Sequence, residues 1–382
     1  MFSSAEEKEA TDLLQNILRC NTTNPPGNEA ILAEKIKEWL VDEGISCQID
    51  EFELNRANLI FEIKGAAEGP KLLVTGHLDT VPPGNCPWKH DPFGAEIEDG
   101  LIFGRGASDM KGSVAAMLYA IVRMKRKGIV PKQEMLFLGT AGEEMFCQGA
   151  LHFVDKNGME NIGAVLVGEP SNGDLLLAHK GAAWLEVTTY GKTAHGSMPD
   201  LGVNAVMSMN AFLTALAGQS FQSAAHPLLG LPTISVNKIE GGVAINVVPD
   251  YCSCKIDVRT IPGQTEEDVR ILIDKAMAEA AEYCPGFKAD YKFLCSLPSV
   301  GCIPNDKIID CAVQCADREL VQRGVNYFTD ASALIGSRQL PLIIYGPGDD
   351  KQAHQPDEHL SMAKYFESID FYEKFLTEYS IK

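Results

Sequence analysis

Six side chains able to ligate a metal or carry a proton recur along this 382-residue chain: His77, Asp109, Glu143, Glu144, Glu169 and His354. Each lies in a polar, glycine-bearing loop just after a short apolar run, as in LLVTGHLDT, LFLGTAGEE and VLVGEP. Carboxylates and imidazoles without thiolates suit Zn²⁺, Co²⁺ or Mn²⁺ in a hydrolytic role. Two such ions roughly 3.5–4 Å apart can activate a water and polarise a carbonyl. A glutamate left off the ions would then serve as general base. Spacing alone does not separate Glu143 from Glu144 in that role.

Each residue also has a plainer reading. His77 could be a hydrogen-bonded loop histidine, Asp109 the N-cap of the helix that follows it, and Glu143 with Glu144 a solvated acidic pair. Taken jointly these readings weaken, because a closed metal site needs acidic and histidine residues at several strand ends and a plain surface does not. Asp79, two residues after His77, is placed to fix the imidazole's tautomer from behind.

The elements that must carry these loops are readable from apolar periodicity. Residues 4–43 hold two helical patterns separated by CNTTNPPG, whose Pro-Pro-Gly cannot continue a helix. Residues 59–63, 71–75, 134–139 and 163–167 read as buried strands, and 110–127 as a helix with a basic last turn. This alternation predicts an α/β fold, a mostly parallel sheet with helices on both faces, in which separate loops meet beyond the carboxyl ends of the strands.

The pattern changes near residue 175. WLEVTTY and CSCKIDVRT alternate apolar with polar residues, as half-exposed antiparallel strands do, and amphipathic helices are expected over 203–217 and 266–283. The expected organisation is a discontinuous catalytic domain, 1–178 and 293–382, with an inserted α+β lid or dimerisation domain at 179–292.

A formal charge of −19 argues against a nucleic-acid partner, which would need a basic face. No segment approaches the roughly 18 uninterrupted apolar residues of a membrane span, and the N-terminus lacks the pattern of a signal peptide. A cytoplasmic enzyme acting on small molecules is expected. The eleven cysteines form no CxxC pair and read as buried structural thiols.

GHLDTVPPG, GRGASDMKGSVAAM, GTAGEE, GEP and GPG…AHQPDE, in this order, resemble the co-catalytic zinc amidohydrolases that include acetylornithine deacetylase, succinyl-diaminopimelate desuccinylase, aminoacylase and glutamate carboxypeptidase. The resemblance implies two divalent ions, zinc with cobalt or manganese as substitutes. Asp109 would bridge them, with His77 and Glu169 on one ion and Glu144 and His354 on the other. Glu143 would be the general base and Asp79 would orient His77. The resemblance also implies a homodimer, in which His195 of GKTAHGSMP reaches the partner's site to steady the oxyanion. Asn246 and Arg259 would hold substrate, Arg259 as a carboxylate clamp. At 179–181 this chain has His-Lys-Gly where the desuccinylases tend to have Arg-Arg-Gly, so Lys180 would meet an acyl carboxylate as a point charge. The expected reaction is removal of an N-acyl group from an amino acid. Its alternatives are a dipeptidase or carboxypeptidase acting on a short peptide, and a non-catalytic dimeric binding protein.

Overall fold

The computed structural model describes residues 2–304 and 306–381. The chain forms two compact units: Met1–Leu177 with Gly301–Gly324 and Thr329–Lys382, and Ala178–Val300 with Val325–Phe328. The sequence reading ends the insertion at residue 292. The strand Ala289–Leu297, however, pairs along its length with Ala182–Tyr190, and the second unit accordingly runs on to Val300.

In the first unit the sheet runs in the order Gln48–Glu53, Arg56–Ile63, Gln133–Thr140, Ala67–His77, Ile162–Val167, Leu342–Ile344 and Leu175–His179. The four strands from Gln133–Thr140 to Leu342–Ile344 are parallel, and the pairings flanking them are antiparallel. The parallel strands are continuous apolar runs because both faces are covered. Helix Lys111–Arg126 is buried along nearly its whole length, and its Arg123 donates to Asp370 and Glu373 of the C-terminal helix Met362–Glu378. Register decides where the chemistry falls. His77 is level with Thr140 and Thr75 with Val167, so Asp79, Glu143 and Glu169 all follow at one edge of the sheet. Ile344 is level with Val167, which sends the 346–354 loop out at the same edge.

The second unit is a four-stranded antiparallel sheet, ordered Thr233–Gly241, Tyr251–Arg259, Ala182–Tyr190 and Ala289–Leu297. Leu185, Val187, Cys254, Ile256 and Val258 form its apolar face and pack with Phe212, Val269 and Ile273 of helices Ala205–Gly218 and Glu266–Tyr283. The second helix opens with a capping box in which Thr265 and Asp268 satisfy each other's backbone N–H groups. Among the described residues no helix is long and apolar enough to cross a membrane. All eleven cysteines are free thiols, and only Cys86 is exposed.

Candidate metal centre

The strand ends bring His77, Asp109, Glu143, Glu144, Glu169 and His354 into the first unit's loop cluster. Two ligand sets form there, His77–Asp109–Glu169 and Asp109–Glu144–His354, with the ligand atoms of each within 4.8 Å of one another. Asp109 belongs to both. Its Oδ1 lies 3.1 Å from His77 Nε2 and its Oδ2 lies 3.4 Å from His354 Nε2. Glu169 Oε1 is 4.0 Å from His77 Nε2, and Glu144 Oε1 is 3.1 Å from His354 Nε2. Glu143 belongs to neither set.

Asp109 is not the N-cap that its sequence position suggests. Met110 occupies that place before helix Lys111–Arg126, with no side-chain capping bond, and the aspartate carboxylate is turned to the two imidazoles instead. The Asp109–Met110 peptide bond is cis.

His77 Nδ1 lies 2.9 Å from the backbone carbonyl of Asp79. A carbonyl only accepts, so Nδ1 carries the hydrogen and Nε2 is the nitrogen left to present a lone pair. Orientation of His77 therefore comes from the main chain of Asp79. The Asp79 carboxylate is 3.6 Å from Nδ1 and serves another loop. It accepts from the N–H groups of Glu143 at 3.1 Å and Glu144 at 3.3 Å, and from Asn24 Nδ2 at 2.9 Å. It thus holds the turn Glu143–Met145, entered through Gly142 at φ +72°, where a side chain would be strained. Asn24 sits in the NPPG break between the first two helices, and no metal-like spacing marks it in the sequence. Buried Asp330, whose carboxylate is bonded by Thr140 Oγ1, was likewise unmarked.

The electrostatics fit divalent cations. Burial raises the pKa of Glu143 and of Glu169 well above the carboxylate range, and it also raises that of Glu144. Neighbouring carboxylates add to each of these shifts. For Asp109 burial works in the same direction, but hydrogen bonds to His354 and His77 prevail and hold its carboxyl below the usual range. Bonds to Asp109 and Glu144 push the His354 imidazole up to about 10. Four buried or half-buried carboxylates thus crowd around two imidazoles, which draw protons to offset the charge. Cations between the two sets would replace those protons, and the all-oxygen-and-imidazole donor set suits zinc, cobalt or manganese.

Lys180, His195, Asn246 and Arg259 belong to the second unit. The loops of His195 and Asn246 pair through their backbones: Gly196 N–H donates to Asn246 O at 2.8 Å, and His195 bridges Val247. Ser197 N–H donates to His195 Nδ1 at 3.2 Å, which leaves Nε2 as the hydrogen-bearing nitrogen of the neutral ring. Arg259 is held by Asp257 two residues earlier, through Nε at 2.9 Å and Nη2 at 3.2 Å, and lies about 6.0 Å over Trp184. Lys180 Nζ donates to Leu231 O at 2.7 Å, and burial with nearby Arg259 lowers its pKa.

Residues 73–378 match peptidase family M20/M25/M40. The chain belongs to that family. As a member of peptidase family M20/M25/M40 it is a hydrolase, and its curated relatives include deacylases. It is 29% identical, over 98% of both chains, to a probable succinyl-diaminopimelate desuccinylase of Staphylococcus epidermidis. It is 33% identical to an acetylornithine deacetylase of Vibrio cholerae, over 90% of this chain and 89% of that one. Among solved structures of the family, the Bacillus subtilis YXEP protein, a dinuclear metal binding peptidase, superposes with a TM-score of 0.76 at 17% identity over 98% of both chains.

Proposed function

We propose that this M20/M25/M40 hydrolase removes an N-acyl group from an amino acid at a centre of two divalent ions, zinc in the first instance. The observation that carries the reading is the arrangement of Asp109, one oxygen toward each imidazole, with Glu143 next to Glu144 in the same turn and in neither ligand set. The dinuclear relative supports two ions, and the curated relatives support an acyl amino acid as substrate.

His77, Asp109 and Glu169 would hold one ion, and Asp109, Glu144 and His354 the other. When bound, the ions supply Lewis acidity toward the scissile carbonyl and toward a water. Glu143, kept off the ions, takes a proton from that water and hands it to the leaving nitrogen. Glu143 is buried and belongs to neither ligand set, which leaves its carboxylate free for that exchange.

Recognition falls to the second unit in this reading. Asp257 occupies the Nε–Nη2 edge of Arg259, so the Nη1–Nη2 edge is the one that would clamp a substrate carboxylate in a two-point grip. Lys180 would meet an acyl carboxylate as a point charge, with less geometric specificity than the planar fork of an arginine. Asn246 would hold the amide, and His195 of a second copy would steady the oxyanion through Nε2. Met198, Leu201, Val243 and Ile245 around these loops are exposed apolar side chains, which supports a homodimer through this unit. Sedimentation of a fully active chain as a monomer would contradict that part. Eleven free thiols fit a reducing compartment such as the cytoplasm.

Glu143→Ala tests the reaction. Turnover is expected to fall by roughly 10²–10⁴ while zinc content stays as in the wild type. Unchanged turnover would remove Glu143 from the role of base.

A further inference from the structure

Glu358, four residues beyond His354, is fully buried, and its carboxylate belongs to neither ligand set and bonds the backbone that delivers Asp109. Oε1 accepts from three N–H groups of one loop: Gly106 at 3.1 Å, Ser108 at 2.8 Å and Asp109 itself at 2.9 Å. Oε2 takes the guanidinium of Arg105, which is also buried and lies 5.2 Å over the Trp88 ring. The main chain of Glu358 joins in, since its carbonyl accepts from Gly104 N–H at 2.9 Å. Next to it, Asp357 Oδ1 accepts from the N–H groups of Lys89 and His90 at 2.8 and 3.1 Å.

Burying a carboxylate costs several kcal/mol unless its lone pairs are filled, and here four donors fill them. An ordinary loop anchor would not need an ion. The donors are confined to residues 105–109, so this carboxylate fixes one loop against one other. Those loops carry Asp109 and His354, two members of a single ligand set. A divalent site tolerates only a few tenths of an ångström in the placement of its ligands, and the groups that hold the ligands set its affinity.

We propose that Glu358 is a positioning residue of the metal centre: bound to the Asp109 loop, it sets the separation of Asp109 from His354 without ligating either ion. The inference rests on the reading of Asp109 and His354 as ligands. The test is stepwise zinc titration calorimetry of the metal-free full-length chain, comparing wild type, Glu358→Gln and Asp109→Asn at a temperature where each is folded. The glutamine keeps one acceptor oxygen and turns an NH₂ group toward Arg105. It is expected to weaken at least one zinc step by roughly 10–100-fold with the circular dichroism of the wild type retained. A folded Glu358→Gln chain that takes up both ions with wild-type affinity, while Asp109→Asn loses one, would overturn the role of Glu358 and leave the metal centre standing. Two undiminished zinc steps in Asp109→Asn would overturn the centre and this inference together. Should the glutamine variant not fold, Glu358→Asp keeps the charge but withdraws it by one methylene, and it must show the same weakening.

Discussion

At the scale of single residues, the candidate ligands are legible by type and position, and their grouping is not. His77, Asp109, Glu144, Glu169 and His354 follow apolar runs, and the structure gathers them into two sets. Adjacent Glu143 and Glu144 look alike as a sequence pair, and only in the fold does Glu144 meet His354 while Glu143 joins neither ligand set. The role of Asp79 was half legible, because a main-chain carbonyl leaves no mark in a sequence. Its carboxylate accepts three hydrogen bonds, none of them from His77. Asp79→Asn would set an NH₂ group against donors of the 143–144 turn and cost roughly 1–3 kcal/mol of stability. Zinc stoichiometry should survive, because the carbonyl still fixes the His77 tautomer. Loss of the His77 ion in that variant, measured by metal analysis, would show that the carboxylate orients the ring after all.

At the scale of elements, apolar runs located the strands, but tertiary pairing set their ends. Residues 71–75 carry the apolar signal, yet the strand runs Ala67–His77, since pairing with Gln133–Thr140 continues past the apolar core. His77 is therefore the last residue of a strand and inherits its rigidity. The loop glycines act by allowing close approach. A Cβ on Gly348 would lie 2.1 Å from Ser108 O, the residue before Asp109. Ser108 Oγ also donates to Asp349 O at 2.9 Å, so the two loops lie against each other. Gly348→Ala should push them apart, lowering stability by roughly 1–3 kcal/mol and weakening zinc binding as well. Wild-type zinc affinity and unfolding midpoint in that variant would mean the contact is slack.

At the scale of the whole molecule, the α/β class and the inserted antiparallel unit were readable because the two period patterns differ, 3.6 and continuous against 2. The exact joints were not, because Ala289–Leu297 looks like any half-exposed strand until its partner is known. Global stability carries a pH signature from His179, which is fully buried and whose pKa burial lowers to about 4. The unfolded chain binds this proton near pH 6.5 and the folded chain does not, so stability is complete above about 6.5 and declines as pH falls toward 4. The loss has an upper bound of about 3 kcal/mol. Denaturant midpoints at pH 7 and pH 5 should differ more for the wild type than for His179→Gln. Equal differences would assign the acid sensitivity elsewhere.

Which bond this molecule cleaves decides its function. That is tested most directly by kcat/KM of the zinc-loaded chain, in one series, for N-acetyl-L-ornithine, N-succinyl-L,L-diaminopimelate, other N-acyl amino acids and a set of dipeptides. The expected result is a preference of several hundredfold for one acyl amino acid, about 3.5 kcal/mol of transition-state discrimination. Faster cleavage of dipeptides, or no turnover of any of them by a chain carrying its zinc, would contradict it.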